Sequence, residues 1–175
     1  MTFAGDQDEL RAALLGLSAE IGRPLHYSEL SSEQRLSAMH LLSMVDGWEA
    51  HVFETAKPFG TTTTDHHVRA KLLAQLMSDL SLHEGVVRLV LEERGKPGTP
   101  FDRLNDKDRQ VFQKLRRQGR VSKELSIEHA GKTEPLLSIA DLIVGARTDA
   151  LCAVSDEPYA VIAHRVRQVV VLQMA

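Results

Sequence analysis

The fold is decided by residues 86–94, which read Val86-Val87-Arg88-Leu89-Val90-Leu91 followed by Glu92-Glu93-Arg94. The first six residues are rich in β-branched side chains and almost continuously apolar, which is typical of a strand with both faces covered. We therefore expect a strand over residues 86–92 near the centre of a sheet. The three charged residues that follow mark its carboxyl end.

Toward the C-terminus, helical and strand-like segments alternate. Pro135 suits the first turn of a long helix, whose apolar residues go almost all the way round, so we expect that helix to be largely buried. The expected elements are a loop over 95–105, a polar helix to 117, a strand at about 124–129, a helix over 135–154, a short helix from 156 and a strand over 168–173.

Toward the N-terminus, two amphipathic helices precede a further strand and helix. Ser31 and Gln34 have the spacing of a capping box, which predicts a helix start, and Gly22 is a natural C-terminal stop. The expected elements are a helix from 6 or 8 to 22, a helix from 31 to 46, a strand over 48–56 and a helix from 65 to about 83. Strands separated by helices need crossover connections, so the sequence predicts a single α/β domain with a partly parallel sheet.

Composition narrows the class of protein. Of the 175 residues, 43% are apolar and 26% charged, an ordinary globular balance. No apolar stretch reaches the ~18–20 residues needed to span a bilayer, and the N-terminus lacks a secretory signal pattern. The single cysteine, Cys152, excludes an intrachain disulfide. We therefore expect a cytoplasmic protein that does not enter a membrane, with Cys152 as a core filler.

The charge is unevenly distributed along the chain. Residues 1–50 carry eight acids and three bases, whereas residues 88–123 carry eleven bases and five acids. A basic stretch in an acidic protein can meet phosphate, although a solvated helix face with a neighbouring loop explains it as well. The candidate nucleic-acid contacts are Arg94, Arg109, Arg116, Arg117 and Arg120.

Two features carry possible chemistry. Glu92 and Glu93 stand at the carboxyl end of the predicted strand, where open α/β sheets bind ligands, and alternation turns them to opposite faces. Asp141 lies among apolar residues of the long helix, where burial of a carboxylate requires a partner. The alternative is a solvated strand end and an ion pair between Asp141 and an arginine such as Arg147. Neither HExxH nor CxxC spacing occurs, and no glycine-rich phosphate loop is present.

Three segments resemble a bacterial family of uncharacterised proteins. Leu25-His26-Tyr27-Ser28-Glu29-Leu30-Ser31 with Arg35 resembles its "L-H-[FW]-x-[DE]-L-S…R" segment, and Val90-Leu91-Glu92-Glu93-Arg94 resembles a strand that ends in a carboxylate. The most specific likeness is that of residues 134–146, Glu134-Pro135-Leu136-Leu137-Ser138-Ile139-Ala140-Asp141-Leu142-Ile143-Val144-Gly145-Ala146, to its "LLxxADxxxGA" helix.

The resemblance implies a ribonuclease-H-like, three-layer α/β fold with a mixed sheet, in the superfamily of the retroviral integrases. The implied division is an N-terminal helical segment (1–47), the core (48–154) and a C-terminal helix and strand (155–175). In this superfamily carboxylates hold two Mg²⁺ ions, and Glu92 or Glu93 together with Asp141 would belong to that set. Family members open with a strand bearing Asp-Glu-Ser, which this sequence lacks, so the chain is expected to be truncated, metal-free or to use an early acid such as Asp6.

Two functions follow as expectations. The first is a domain that binds or cleaves nucleic acid, with Mg²⁺ at Glu92 and Asp141 if it is active. The second is a non-catalytic assembly domain that forms a homodimer, because an open sheet edge left by a missing strand needs covering.

Overall fold

The computed structural model describes residues 1–3, 7–55, 65–94, 103–131 and 133–172. These residues form an α/β protein. Its strands are β1 (Thr2–Phe3), β2 (Trp48–Thr55), β3 (Arg88–Glu92), β4 (Ser126–Ala130) and β5 (Val166–Leu172). Its helices are α1 (Asp8–Ile21), α2 (Ser32–Met44), α3 (Asp65–His83), α4 (Arg103–Arg117), α5 (Pro135–Leu151) and α6 (Glu157–Ile162), with 3₁₀ turns at Tyr27–Glu29 and Ala163–Arg165.

The chain divides into two compact units. Unit 1 consists of Met1–Val52 and Lys132–Val169, and unit 2 consists of Phe53–Gly131 and Val170–Ala175. Unit 1 is therefore made of two distant stretches of sequence, between which the bulk of unit 2 is inserted. Each unit is built around its own apolar cluster.

Unit 1 has a helical core formed mainly by α1, α2, α5 and α6. Local signals in the sequence account for the helix ends. The Ser31 hydroxyl accepts from the Gln34 amide while the Gln34 side chain accepts from the Ser31 amide, which is the predicted capping box. Gly22 closes α1 in the left-handed conformation at φ 78° and donates to Ser18 O.

The long helix α5 is buried along one face only. That face contacts the core through Leu136, Ile139, Leu142, Ile143 and Ala146. The opposite face is open, with Val144 59% and Leu151 58% exposed. The helix is therefore less buried than expected, because an apolar sequence does not ensure that every face finds a partner. The helix also ends at Leu151, so Cys152 follows it and is exposed rather than part of the core.

Unit 2 contains a β–α–β element, β3–α4–β4, preceded by α3. Strands β3 and β4 are parallel, with Leu89 opposite Ile127 and Leu91 opposite His129. Leu89, Leu91 and Ile127 pack against a cluster that includes Met77 of α3 and Phe112 of α4. Alternation places Arg88 and Glu128 on the opposite face, where Arg88 Nε donates to Glu128 Oε1 over 2.8 Å.

The strands of the described residues form two sheets. One has the order β1–β2–β5, with β1 antiparallel to β2, and the other is the parallel pair β3–β4. The expected central strand lies at Arg88–Glu92, but none of its residues is fully buried, and β4 is its partner within the described ranges. The face of β3 with Leu89 and Leu91 packs against the apolar cluster of unit 2. The other face, with Val90, is only partly covered. Strands β4 and β5 each begin two residues away from their expected starts.

Candidate functional site

The carboxyl end of β3 carries the predicted charged residues. Glu92, Glu93 and Arg94 are all exposed. The Glu93 amide extends the strand pairing by donating to Ala130 O over 2.8 Å, and the Arg94 amide donates to Asn105 Oδ1 over 3.0 Å. Alternation places Glu92 on the face of Arg88, away from the packed helices. Glu92 is thus an accessible carboxylate at the strand end.

Near the carboxyl end of β3 lies a buried polar group that sequence reasoning missed. We call it the Asp108 cluster, and it consists of Arg69, Asp108 and His129. The Arg69 guanidinium holds Asp108 with two hydrogen bonds, Nη2 to Oδ2 over 2.7 Å and Nε to Oδ1 over 3.3 Å. His129 Nε2 is 3.7 Å from Asp108 Oδ2. The side chains of Asp108 and His129 are only 5% and 4% exposed. The cluster connects α3, α4 and β4 inside unit 2.

The Asp108 cluster is suited to a structural role, namely stabilising the packing of unit 2. A bidentate arginine offsets much of the cost of burying a carboxylate. Among the described residues, neither ring nitrogen of His129 has a hydrogen-bond partner, and the 3.7 Å between His129 Nε2 and Asp108 exceeds hydrogen-bond length. Because the imidazole is buried, a substrate could reach it only after a rearrangement. A signal was present in the sequence: Asn105 and Asp108 share the face of Phe112 and Leu115, so polar burial on α4 could have been expected.

The exposed surface of α4 is strongly basic. All six basic residues of the helix are exposed, whereas Asp106 is its one exposed acid, because Asp108 faces inward. We call this set the α4 basic surface: Arg103, Lys107, Arg109, Lys114, Arg116 and Arg117.

Individual contacts fix parts of the α4 basic surface. Arg109 Nη1 donates to Asp106 Oδ1 over 3.1 Å, and Arg116 Nη2 donates to Lys123 O over 3.3 Å.

Arg120, expected to continue the same helical face, instead follows the helix. Gly119 turns left-handed at φ 65°, and the Arg120 amide donates to Leu115 O over 3.0 Å, which closes α4.

Asp141 lies in unit 1 and is exposed, with 51% of its side chain accessible. The expectation of a buried carboxylate is wrong because Asp141 lies on the open side of α5. Its Oδ2 accepts from the Tyr27 amide over 2.9 Å and lies 3.7 Å from His26 Nδ1. Asp141 therefore fixes the start of the 3₁₀ turn that contains Tyr27.

Two of the three segments that resemble the family contact each other in unit 1, where the Tyr27 amide donates to Asp141 and Asp149 adds further contacts. The Tyr27 hydroxyl donates to Asp149 Oδ2 over 2.8 Å, and Arg35 Nη1 donates to the same oxygen over 3.0 Å. Arg35 also donates from Nε to Tyr27 O and lies over the Tyr27 ring, 4.4 Å from its centroid. Burial, and then the hydrogen bond and negative charge of Asp149, raise the pKa of Tyr27 to about 12. We call Tyr27, Arg35, Asp149 and Asp141 the Tyr27 network.

Gly145 completes this contact. A Cβ at position 145 would lie 2.2 Å from Cδ1 of Tyr27, so the glycine allows the aromatic ring to reach the α5 backbone. Two residues of the "ADxxxGA" segment thus have a structural role: Asp141 accepts from the Tyr27 amide, and Gly145 leaves room for the Tyr27 ring.

The two residues expected to share a metal, Glu92 and Asp141, belong to unit 2 and unit 1 respectively. Within the described ranges, no group of three or more histidine, cysteine or acidic side chains could hold a metal ion. A shared Mg²⁺ site at Glu92 and Asp141 stays a prediction.

Comparison with known proteins finds no matching family model, no matching curated protein and no matching solved structure. The resemblance to the bacterial family therefore stays an expectation. Among the helices described, none has both the length and the apolar character to cross a membrane.

Proposed function

We propose that this chain binds nucleic acid through the α4 basic surface of unit 2. The observation that supports this most directly is the inward position of Asp108. Arg69 holds the Asp108 carboxylate inside the unit. The negative charge of Asp108 therefore neutralises Arg69 and not the exposed cations of α4.

The charge balance makes this surface different from the rest of the chain. The whole sequence has a formal net charge of −3, yet α4 presents six bases and one acid to solvent. Concentrated positive charge attracts the phosphate backbone of nucleic acids regardless of base sequence. The exposed strand-end residue Arg94 and the loop residues Arg120 and Lys123 add further cations to unit 2.

A metal-dependent nuclease on a ribonuclease-H-like fold is the more specific form of this proposal. The parallel pair β3–β4 and the exposed carboxylates Glu92 and Glu93 at its carboxyl end support it. In that form Glu92 would be a ligand of Mg²⁺, which would orient a scissile phosphate and activate water. A site with two Mg²⁺ ions would need further carboxylates. The first measurement to make is whether Mg²⁺ raises the melting temperature of the protein.

Fluorescence anisotropy with labelled oligonucleotides tests the binding proposal. Affinity should fall steeply with salt, and Lys114→Ala should lower the slope of log K against log salt by about 0.9 for duplex DNA. Lys71→Ala removes one exposed lysine from α3 and is the matched control. Absence of binding at low salt and tens of micromolar protein would contradict the proposal.

Assembly as a homodimer is the second candidate. Ala140, Val144 and Leu151 form an exposed apolar stripe on α5 at four- and seven-residue spacing, which is the type of seam that pairs helices. Light scattering should then report a dimer, and Val144→Lys should shift it to a monomer. Val154→Lys, at an exposed valine beyond the helix, is the control. A monomeric wild-type protein at high concentration would refute this candidate.

A further inference from the structure

The outermost residues of α4 form a ridge of hydrogen-bonding side chains. Their steps of three and four residues keep them within an arc of about 80° on the helix surface. All five are exposed, and we call them the α4 ridge: Arg103, Asp106, Gln110, Gln113 and Arg117.

Cations flank this ridge on both sides. Lys107 and Lys114 lie along one side of the ridge, and Arg109 and Arg116 lie along the other. Each pair is separated by seven residues, or about two helical turns. The helix thus presents a central row that can donate and accept hydrogen bonds between two rows of positive charge.

Buried contacts fix the rotation of α4 that produces this layout. Asp108 is held by Arg69, Asn105 accepts from the Arg94 amide, and Phe112 and Leu115 fill the core of unit 2. A helix anchored by both polar and apolar contacts on one face cannot turn its opposite face away from solvent without breaking them.

We propose that α4 is a recognition helix that enters the major groove of double-stranded DNA. This inference rests on the proposed nucleic-acid binding and specifies its ligand. A helix with its side chains is about 10–12 Å wide, and the B-DNA major groove is about 12 Å wide. The glutamines and arginines of the α4 ridge would meet base edges, and the flanking cations would meet the phosphates on either side.

The same geometry disfavours other nucleic acids. The major groove of an RNA duplex is too deep and narrow for side chains to read. Binding of single strands relies on exposed aromatic rings for stacking, whereas the aromatic residue of α4, Phe112, is buried. The inferred ligand is therefore duplex DNA with a preference for particular base pairs at the contacted positions.

Selection of the full-length chain on a library of random duplexes, followed by anisotropy on the selected duplex, tests this inference. The same assay is run on a scrambled duplex, an RNA duplex and a single strand. Gln110→Ala should reduce the preference for the selected over the scrambled duplex by about 5- to 150-fold and leave the salt slope unchanged. Lys114→Ala should weaken binding to both DNA duplexes alike and lower the salt slope. Both residues are exposed, so melting curves of the variants should match the wild type.

The outcomes separate this inference from the function on which it rests. Salt-dependent binding of all four ligands without preference, and unchanged by Gln110→Ala, would overturn the recognition helix and leave nucleic-acid binding standing. Stronger binding to the RNA duplex or the single strand would do the same. Absence of binding to any of the four would overturn both.

Discussion

The hydroxyl of Tyr27 donates a hydrogen bond to Asp149 Oδ2 across 2.8 Å, although the two residues are 122 positions apart in the sequence. Arg35 meets the same carboxylate, so one oxygen of Asp149 joins a 3₁₀ turn and α2 to α5. The side chains of Arg35 and Asp149 are 23% and 19% exposed. Hydrogen bonds to a charged partner in such a setting contribute more to stability than those between exposed groups.

Tyr27→Phe should destabilise the protein by about 1–2 kcal/mol, because the ring stays and only the hydroxyl bond to Asp149 is lost. Urea unfolding monitored by circular dichroism measures this. Tyr159→Phe is the control, since Tyr159 is half-buried beneath the guanidinium of Arg147, and it should change stability by less than about 0.5 kcal/mol.

The pH dependence gives an independent check of the same contact. The pKa of Tyr27 is about 12 in the folded protein and ordinarily about 10. Above pH 10 the unfolded chain loses this proton first, so stability falls as pH rises from about 10 to about 12. Tyr27→Phe should remove that part of the loss. An identical alkaline profile in both proteins would show that the Tyr27 hydroxyl is not held by Asp149.

Gly145→Ala and Gly16→Ala should change stability in opposite directions. At position 145 the new methyl group would meet the Tyr27 ring at 2.2 Å, and overpacking of this kind costs about 1–3 kcal/mol. At position 16, within α1, no atom of the described residues lies within 4 Å of the added atom, so the higher helix propensity of alanine should stabilise by up to about 1 kcal/mol. Thermal melts of both variants measure the contrast, and equal shifts would contradict the packing of Tyr27 on Gly145.

Arg69→Ala should destabilise unit 2 by about 3 kcal/mol, because it leaves the buried Asp108 carboxylate without its main partner. Arg109→Ala breaks an exposed pair with Asp106 and should cost less than about 1 kcal/mol. Chemical denaturation of both variants compares the two pairs. Similar small losses would show that Asp108 is not held as a buried ion.

Asp141→Ala should destabilise the protein by about 1 kcal/mol, since the Tyr27 amide loses its acceptor. This loss should be the same with and without Mg²⁺ if the residue acts only in the Tyr27 network. If Asp141 also holds Mg²⁺ together with Glu92, the wild type should melt higher with Mg²⁺, and Asp141→Asn and Glu92→Gln should each abolish that shift. Thermal melts of the four proteins at several Mg²⁺ concentrations distinguish these outcomes.

The sequence predicted local structure better than long-range contacts. Ser31, Gln34 and Pro135 carry their signals within one helical turn, and the structure confirms the helix starts they predict. Gly22 likewise ends α1 as expected. These features depend on neighbouring residues, so one sequence is sufficient to find them.

The contacts of the candidate site depend on pairs that lie far apart in the chain. Nothing near Asp141 indicates that its partner is the amide of Tyr27, 114 residues earlier. The apolar pattern of α5 could not show which face would remain open. The inward Asp108 could have been inferred from its helical spacing with Phe112, but its partner Arg69 comes from another helix.

The discontinuity of unit 1 has a consequence for how the protein forms during synthesis. The Tyr27 network needs residues of α5, so the N-terminal helices must wait for more than a hundred further residues before the unit can close. At ribosomal rates of about 5–20 residues per second, that delay is roughly 5–20 s. Contacts of such high sequence separation also slow folding, because the chain entropy of a long loop is lost before they form. Most of unit 2, which is nearly continuous, emerges in that interval and can fold first.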